Sequence, residues 1–74
     1  MRLVVELERE DDGRWIGEVA NLPGVLVYAA SEEDALARVR ALALRVLADR
    51  IEHGEQSDDL EHVEFVLAAA APTA

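Results

Sequence analysis

The residues best suited to metal binding are two histidines, His53 and His62, and two pairs of adjacent acids. The acidic pairs are Asp11-Asp12 and Asp58-Asp59. A zinc site needs at least three protein ligands, and no third ligand stands at helical or hairpin spacing from the histidines. A calcium loop needs acids at alternating positions, which adjacent pairs do not supply. The sequence therefore predicts no metal site, and it contains no motif for a cofactor.

The two serines are the candidates for a catalytic nucleophile. Such a serine needs a neighbouring base to activate it. Ser31 stands before a helical pattern and is explained as a helix cap, and Ser57 does not stand in a nucleophile motif. Paired carboxylates could act as acid and base only in a pocket that shifts their pKa values. A short, alanine-rich chain gives no sign of such a pocket, so we expect no catalytic residues and no enzyme.

Charge separates the remaining function classes. The 74 residues include 16 acids and seven basic residues, for a formal net charge of -9. Affinity for nucleic acids comes largely from neutralised phosphates, so this charge argues against direct binding of DNA or RNA. The same charge accelerates encounter with a basic protein. The candidate partner-binding residues are the acids of two turns: Glu10, Asp11, Asp12, Asp58, Asp59 and Glu61.

The length of the chain indicates one domain, which we place at residues 1–68, followed by a tail at 69–74. No apolar run approaches the roughly 18 residues that cross a bilayer. The N-terminal stretch carries glutamates and does not resemble a signal peptide. We therefore expect a cytoplasmic protein without membrane contact. With one Trp, one Tyr and one Phe, a chain of this size is expected to complete its core with a second copy or a partner.

Alternating apolar residues predict strands at Arg2–Glu8 and Arg14–Ala20, and a continuous apolar run predicts a third at Val25–Ala30. The first two are joined by an Asp-Gly turn, a strong hairpin signal. The second and third are joined by Leu22-Pro23-Gly24, which suits a type II turn. Gly17 inside the second strand predicts the close approach of another group. The third strand is apolar on both faces and is expected to be central or covered on its second side.

A long helix is predicted to follow. Ser31 is its N-cap, with Asp34 completing a capping box, and the helix runs from Glu32 to about His53 before Gly54 ends it. The predicted core face, one arc at 100° per residue, consists of Ala35, Leu36, Val39, Leu42, Ala43, Val46 and Leu47. A last strand is predicted at His62–Ala68. The fold class is therefore α+β, in the order β-β-β-α-β, with an antiparallel meander packed on one long helix.

Some apolar residues lie outside this plan. Leu44 and Ile51 fall off the core arc, and the helix is longer than the strands beneath it, which predicts an overhang near Leu47 and Ile51. The last strand offers a free edge for pairing. We therefore expect a homo-oligomer, a dimer or a tetramer, whose interface includes Leu44, Leu47, Ile51, Val63 and Phe65. Trp15 is compatible either with the core or with an exposed anchor for a partner.

The combined pattern resembles the HicB antitoxin family. It consists of Trp15-Ile16-Gly17-Glu18-Val19, then Leu22-Pro23-Gly24, then Ser31-Glu32-Glu33-Asp34-Ala35-Leu36. The N-terminal domain of that family has an aromatic residue, a small residue two positions later, a Leu-Pro-Gly turn, and a Ser/Thr-capped helix that opens with acids and Ala-Leu. The resemblance covers Leu3 to Ile51.

The resemblance implies a partial ribonuclease H-like fold without the nuclease's active site. It also implies that the chain masks a small, basic, RNA-cleaving toxin of the HicA type, whose fold is like that of double-stranded-RNA-binding domains. The chain departs from the family pattern at four positions, which are Ala20, Val25, Ala29 and Arg38. Many members also carry a C-terminal DNA-binding domain, which we do not expect here. The alternative is a solitary homo-oligomeric domain of the same fold that binds another protein or a small ligand.

Overall fold

The computed structural model of the chain describes residues 1–55 and 60–68. Its elements are the strands β1 (Arg2–Arg9), β2 (Trp15–Val19) and β3 (Leu26–Ala29), the helix α1 (Glu32–Glu52), and the strand β4 (Glu64–Leu67). The predicted α+β class and the order β-β-β-α-β are confirmed. The strands after the first are shorter than predicted, because their end residues belong to the turns.

The four strands form one sheet in the order β3-β2-β1-β4. The first three make the predicted antiparallel meander, with Val5 opposite Val19 and Gly17 opposite Val27. After α1 the chain returns to the far side of β1, where β4 runs parallel to it with Phe65 opposite Leu3. The edge strands of the sheet are therefore β3 and β4, and β1 and β2 are its central strands.

Both predicted turns have the backbone that their glycines allow. Gly13 has φ of 91°, and its amide donates to the carbonyl of Glu10 at 2.9 Å. Gly24 has φ of 86°, and the amide of Val25 donates to the carbonyl of Leu22 at 3.3 Å. A positive φ after a proline is the geometry of a type II turn. These turns fix the register of the meander.

The start of α1 confirms one half of the predicted capping box. The Ser31 hydroxyl accepts from the Asp34 amide at 3.1 Å, and three acids occupy the first turn, where the helix dipole favours them. The other half is wrong, because the Asp34 carboxylate accepts from Arg38 Nε at 3.2 Å. At the other end α1 finishes at Glu52, and Gly54, two residues later, has φ of 68°.

The core lies between α1 and one face of the sheet. Its hydrophobic cluster of buried side chains consists of Leu3, Val5, Val19, Leu22, Val25, Val39, Ala43 and Leu47. Strand residues of one alternating phase and the predicted apolar arc of the helix supply most of this set. Leu36, Leu42, Val46 and Phe65 are partly buried against it. The helical face predicted from the sequence is confirmed.

Gly17 is the point where the helix and the sheet come closest. A Cβ atom at this position would lie 3.0 Å from the Ala35 carbonyl oxygen, 3.2 Å from Val39 Cβ and 3.3 Å from Val27 Cγ2. The nearest atom belongs to the helix backbone and has no rotamer to change. The close approach predicted for this glycine is confirmed, and the contact is with the first turns of α1.

The expectation for β3 is wrong. This strand lies at an edge of the sheet, and its second face is open, with Leu26 43% and Tyr28 49% exposed. Val25, which follows the turn, and Ala29 are buried on the side of the sheet that faces α1. An apolar sequence on both faces of a strand predicts burial of both only if another layer exists, and none of the described residues supplies that layer.

Replacing Gly17 with Ala should lower the free energy of unfolding by about 1–3 kcal/mol, the usual cost of forcing a methyl group into a packed site. In an unobstructed strand, alanine would instead stabilise the protein relative to glycine. Whether the free energy of unfolding falls or rises in this variant therefore tests the contact between position 17 and α1. Urea denaturation of the wild type and G17A measures it, and a variant as stable as the wild type would contradict the close approach.

Candidate functional site

The predicted acidic turn between β1 and β2 is a self-contained structure. Asp12 Oδ1 accepts from the Arg14 amide at 3.0 Å, and Asp12 Oδ2 accepts from Arg14 Nε at 2.7 Å. The amide hydrogen bond and the guanidinium lower the pKa of Asp12 from its ordinary value of 3.8. Glu10 donates its amide to the Arg14 carbonyl at 2.7 Å. Asp12 is therefore occupied within the turn, while Asp11 is exposed.

The two acidic turns do not form one site. The turn of Glu10, Asp11 and Asp12 follows the end of β1, whereas Glu61 shortly precedes β4, which begins beside Arg2 at the start of β1. A strand of eight residues spans about 25 Å, so these acids lie at opposite ends of the sheet. Asp58 and Asp59, the remaining predicted acids, lie outside the described residues.

Sequence reasoning missed a third group of acids between these ends. Glu6, Glu8 and Glu18 project from β1 and β2 on the face of the sheet turned away from α1, and Glu6 stands directly opposite Glu18. The signal was present, since these residues occupy the polar phase of the predicted strands. The proximity of these acids could not be predicted, because pairing between strands cannot be read from either strand alone.

The histidines have structural contacts. His53 Nδ1 lies 2.8 Å from the Asp49 carbonyl oxygen and 3.4 Å from Asp49 Oδ1, at the end of α1 where the helix dipole favours a cation. The N-terminal amine donates to the His62 carbonyl. Across residues 1–55 and 60–68, no group of three His, Asp or Glu side chains could hold a metal ion.

An open depression beside the N-terminus is lined by Met1, Arg2, His62, Val63 and Glu64. Arg2 and Glu64 form an ion pair, with 2.9 Å between Arg2 Nε and Glu64 Oε1, and both side chains are well exposed. The pair lies between the start of β1 and the start of β4, and so it joins the two strands at this depression.

The predicted oligomer residues divide into exposed and buried groups. Leu44 is 50% exposed, Ile51 54% and Val63 36%, whereas Leu47 is only 3% exposed and belongs to the chain's own core. Phe65 is partly buried against that core. Leu47 faces inward because it continues the helical row of Val39 and Ala43, so the large apolar residues exposed on the C-terminal half of α1 are Leu44 and Ile51.

Trp15 lies between the two roles considered for it. It is half-buried, and in the sheet it stands between Arg9 of β1 and Ala29 of β3. It does not belong to the group of buried side chains that form the hydrophobic cluster. Trp15 is therefore neither a buried core residue nor a fully exposed anchor.

Comparison with known proteins finds no matching family model, no matching curated protein and no matching solved structure. Within the described ranges, α1 does not have the length and apolar character needed to cross a bilayer.

The contacts of Asp12 in this turn predict how its carboxylate titrates and how it contributes to stability at low pH. Asp12 should titrate below its ordinary pKa of 3.8 in an NMR pH titration, because the Arg14 amide and guanidinium stabilise its charged form. A lowered folded-state pKa stabilises the protein above the unfolded pKa and loses that effect as the pH falls through the folded value. D12N should therefore be less stable than the wild type near pH 7, and this difference should shrink below pH 3.8.

R14M provides the control for this assignment. It removes the guanidinium but leaves the hydrogen bond from the backbone amide of residue 14 to Asp12. The pKa of Asp12 should therefore rise only part of the way to its ordinary value. An unshifted Asp12 in the wild type would show that the turn does not hold this carboxylate.

Proposed function

We propose that this chain is a HicB-like, antitoxin-type binding protein that masks a small, basic, RNA-cleaving toxin. The proposal is supported by the sequence resemblance, by the net charge of -9, and by a β-β-β-α-β order compatible with the fold that the resemblance implies. The role needs a stable acidic surface and no catalytic group of its own. It is therefore compatible with a domain in which the His53 side chain and Asp12 are engaged in structural contacts.

The observation that carries the proposal is the concentration of acids on the β1–β2 hairpin. Five carboxylates of this hairpin form no ion pair with any described residue, and they are Glu6, Glu8, Glu10, Asp11 and Glu18. The formal charge is therefore not cancelled locally. A surface of uncompensated carboxylates attracts a cationic protein surface and gives both fast encounter and selectivity.

Masking follows from the same chemistry. A protein that cleaves RNA binds phosphates through lysine and arginine side chains. Carboxylates placed against those side chains compete with the phosphates for the same charges. Binding of this kind weakens as salt screens exposed pairs, with a Debye length of about 8 Å at physiological ionic strength. The antitoxin needs only to remain bound more tightly than RNA at the salt concentration of the cell.

A second candidate function is that of a solitary homo-oligomer, and a separate observation favours it. Leu44 and Ile51 on the end of α1, with Val63 and Leu67 beside and within β4, are large apolar residues from one-third to more than half exposed. The outer edge of β4 also leaves backbone groups available for pairing. A second copy would cover both, so we place self-association on this helix-end and β4 surface.

The double variant L44E/I51E should shift the protein from oligomer to monomer and lower its melting temperature. Burying a Leu and an Ile contributes enough free energy that their loss should weaken association by roughly 100-fold or more. Analytical ultracentrifugation measures the mass. The matched control is A37E/A41E, which adds the same two charges at exposed positions nearer the helix start. Unchanged mass in L44E/I51E would contradict the placement of this surface.

The antitoxin role is tested by co-expression of the chain with a small, basic, RNA-cleaving toxin of the HicA type. Wild-type chain should restore growth and should bind the toxin in a stoichiometric complex on gel filtration, because its acids occupy the toxin's RNA-binding surface. Raising the salt concentration should weaken that complex. Full toxicity in the presence of well-expressed, folded chain would refute the proposed function, and self-association without toxin binding would favour the solitary alternative.

A further inference from the structure

The face of the sheet turned away from α1, hereafter the open face, is not covered by any element of residues 1–55 and 60–68. Its apolar side chains include Val4 and Ile16, which are half-buried, and Leu26, which is 43% exposed. Its acids include Glu6, Glu8 and Glu18. An uncovered sheet face of mixed apolar and acidic character is a surface that a partner can bury.

The arrangement of the three acids carries a cost in the free domain. Glu6 and Glu18 are direct cross-strand partners, and in such pairs the Cβ atoms lie about 5 Å apart. Like charges at that separation destabilise a sheet. Glu8 extends the cluster along β1, and none of the three has an ion pair with a described residue. A bound cation would remove this repulsion.

Charged groups at the two ends of the open face have partners, unlike the acids at its centre. At one end Arg2 pairs with Glu64 at 2.9 Å. At the other end the Arg14 guanidinium lies 4.9 Å from the centre of the Tyr28 ring while its Nε binds Asp12. Arg14 thus shows how an arginine can stack on an apolar side chain of this face while pairing with a carboxylate. The central acids have no equivalent cation.

We infer that the open face binds a basic, amphipathic segment of a partner protein. Its apolar side chains pack on Val4, Ile16 and Leu26, and its arginines or lysines pair with Glu6, Glu8 and Glu18. A second copy of this chain does not suit the surface, because stacking two open faces would bring two such acidic clusters together without counter-charge. The inference rests on the proposed function for its toxin assay, and it deepens that function by narrowing the binding site from the whole β1–β2 hairpin to the open face of the sheet.

The probe is a synthetic helical peptide of about 18 residues, long enough to form a helix on binding, with leucine and alanine on one side and arginine on the other. One control peptide has glutamine in place of arginine, and another has the same composition in an order without an apolar side. Only the first should bind in calorimetry. In NMR spectra it should shift the methyl signals of Val4, Ile16 and Leu26, and leave those of the core valines Val5 and Val19 unchanged.

The decisive variant is E6Q/E8Q/E18Q, which preserves side-chain size. It should bind the basic amphipathic peptide roughly tenfold more weakly at low salt, since three exposed charge pairs of ordinary strength add to that factor. Its melting temperature should equal or exceed that of the wild type, because cross-strand repulsion is removed. E33Q/E52Q/E55Q removes the same charge from exposed positions outside the sheet and should bind as the wild type does.

Three outcomes would overturn the inference. They are equal binding by the wild type and E6Q/E8Q/E18Q, peptide-induced shifts confined to the acidic turns or the helix end, and concentration-dependent shifts of open-face methyl groups without peptide. The toxin assay separates this inference from the proposed function. If both the wild type and E6Q/E8Q/E18Q neutralise the toxin, the function stands and the site is wrong. If the wild type fails while peptide binding follows the prediction, the site stands and the function is wrong.

Discussion

The approach of α1 to Gly17 is the contact on which the remaining architecture depends. The Ala35 carbonyl lies where a side chain at position 17 would begin, so the helix can rest directly on the second strand. Small residues on the helix complete the approach, because Ala35 and Ala43 are fully buried there. Because the helix lies this close to β2, branched side chains of β1 and β2 fill the space on either side of it. A short, alanine-rich chain can therefore still form a packed core. Few large side chains are then needed on the covered side of the sheet.

Among the described residues, the sheet has a single covering layer. Helix α1 covers one face, and the other face presents apolar and acidic residues together. Leu26 and Tyr28 are exposed because β3 is an edge strand, while Glu6 and Glu18 face each other across the central pair. A face selected only for solubility would place opposite charges in such cross-strand positions, since those pairs stabilise a sheet. The unfavourable pairing is therefore the feature that most calls for a functional explanation.

Local chemistry made much of this fold predictable from sequence. Ser31 and Gly54 mark the helix ends through capping and positive φ, and the Asp-Gly and Pro-Gly turns define the meander. Long-range pairing was harder to predict. Two apolar phases in β3 did not reveal that it lies at an edge, and nothing in β4 alone indicates that it pairs parallel with β1. The acids of the open face were overlooked for the same reason, because their proximity is a property of the strand register.

Charge divides the surface into regions suited to different partners. Around Glu6, Glu8 and Glu18 any self-contact would desolvate carboxylates without compensation, which costs free energy. The end of α1 and the edge of β4 have a different character, since Leu44, Ile51 and Leu67 are exposed there and Glu64 is already paired with Arg2. Identical copies can meet on this second surface without bringing the open-face acids together. An oligomer built through the helix end would therefore leave the open face of each copy free for a cationic protein, so self-association and partner binding need not compete.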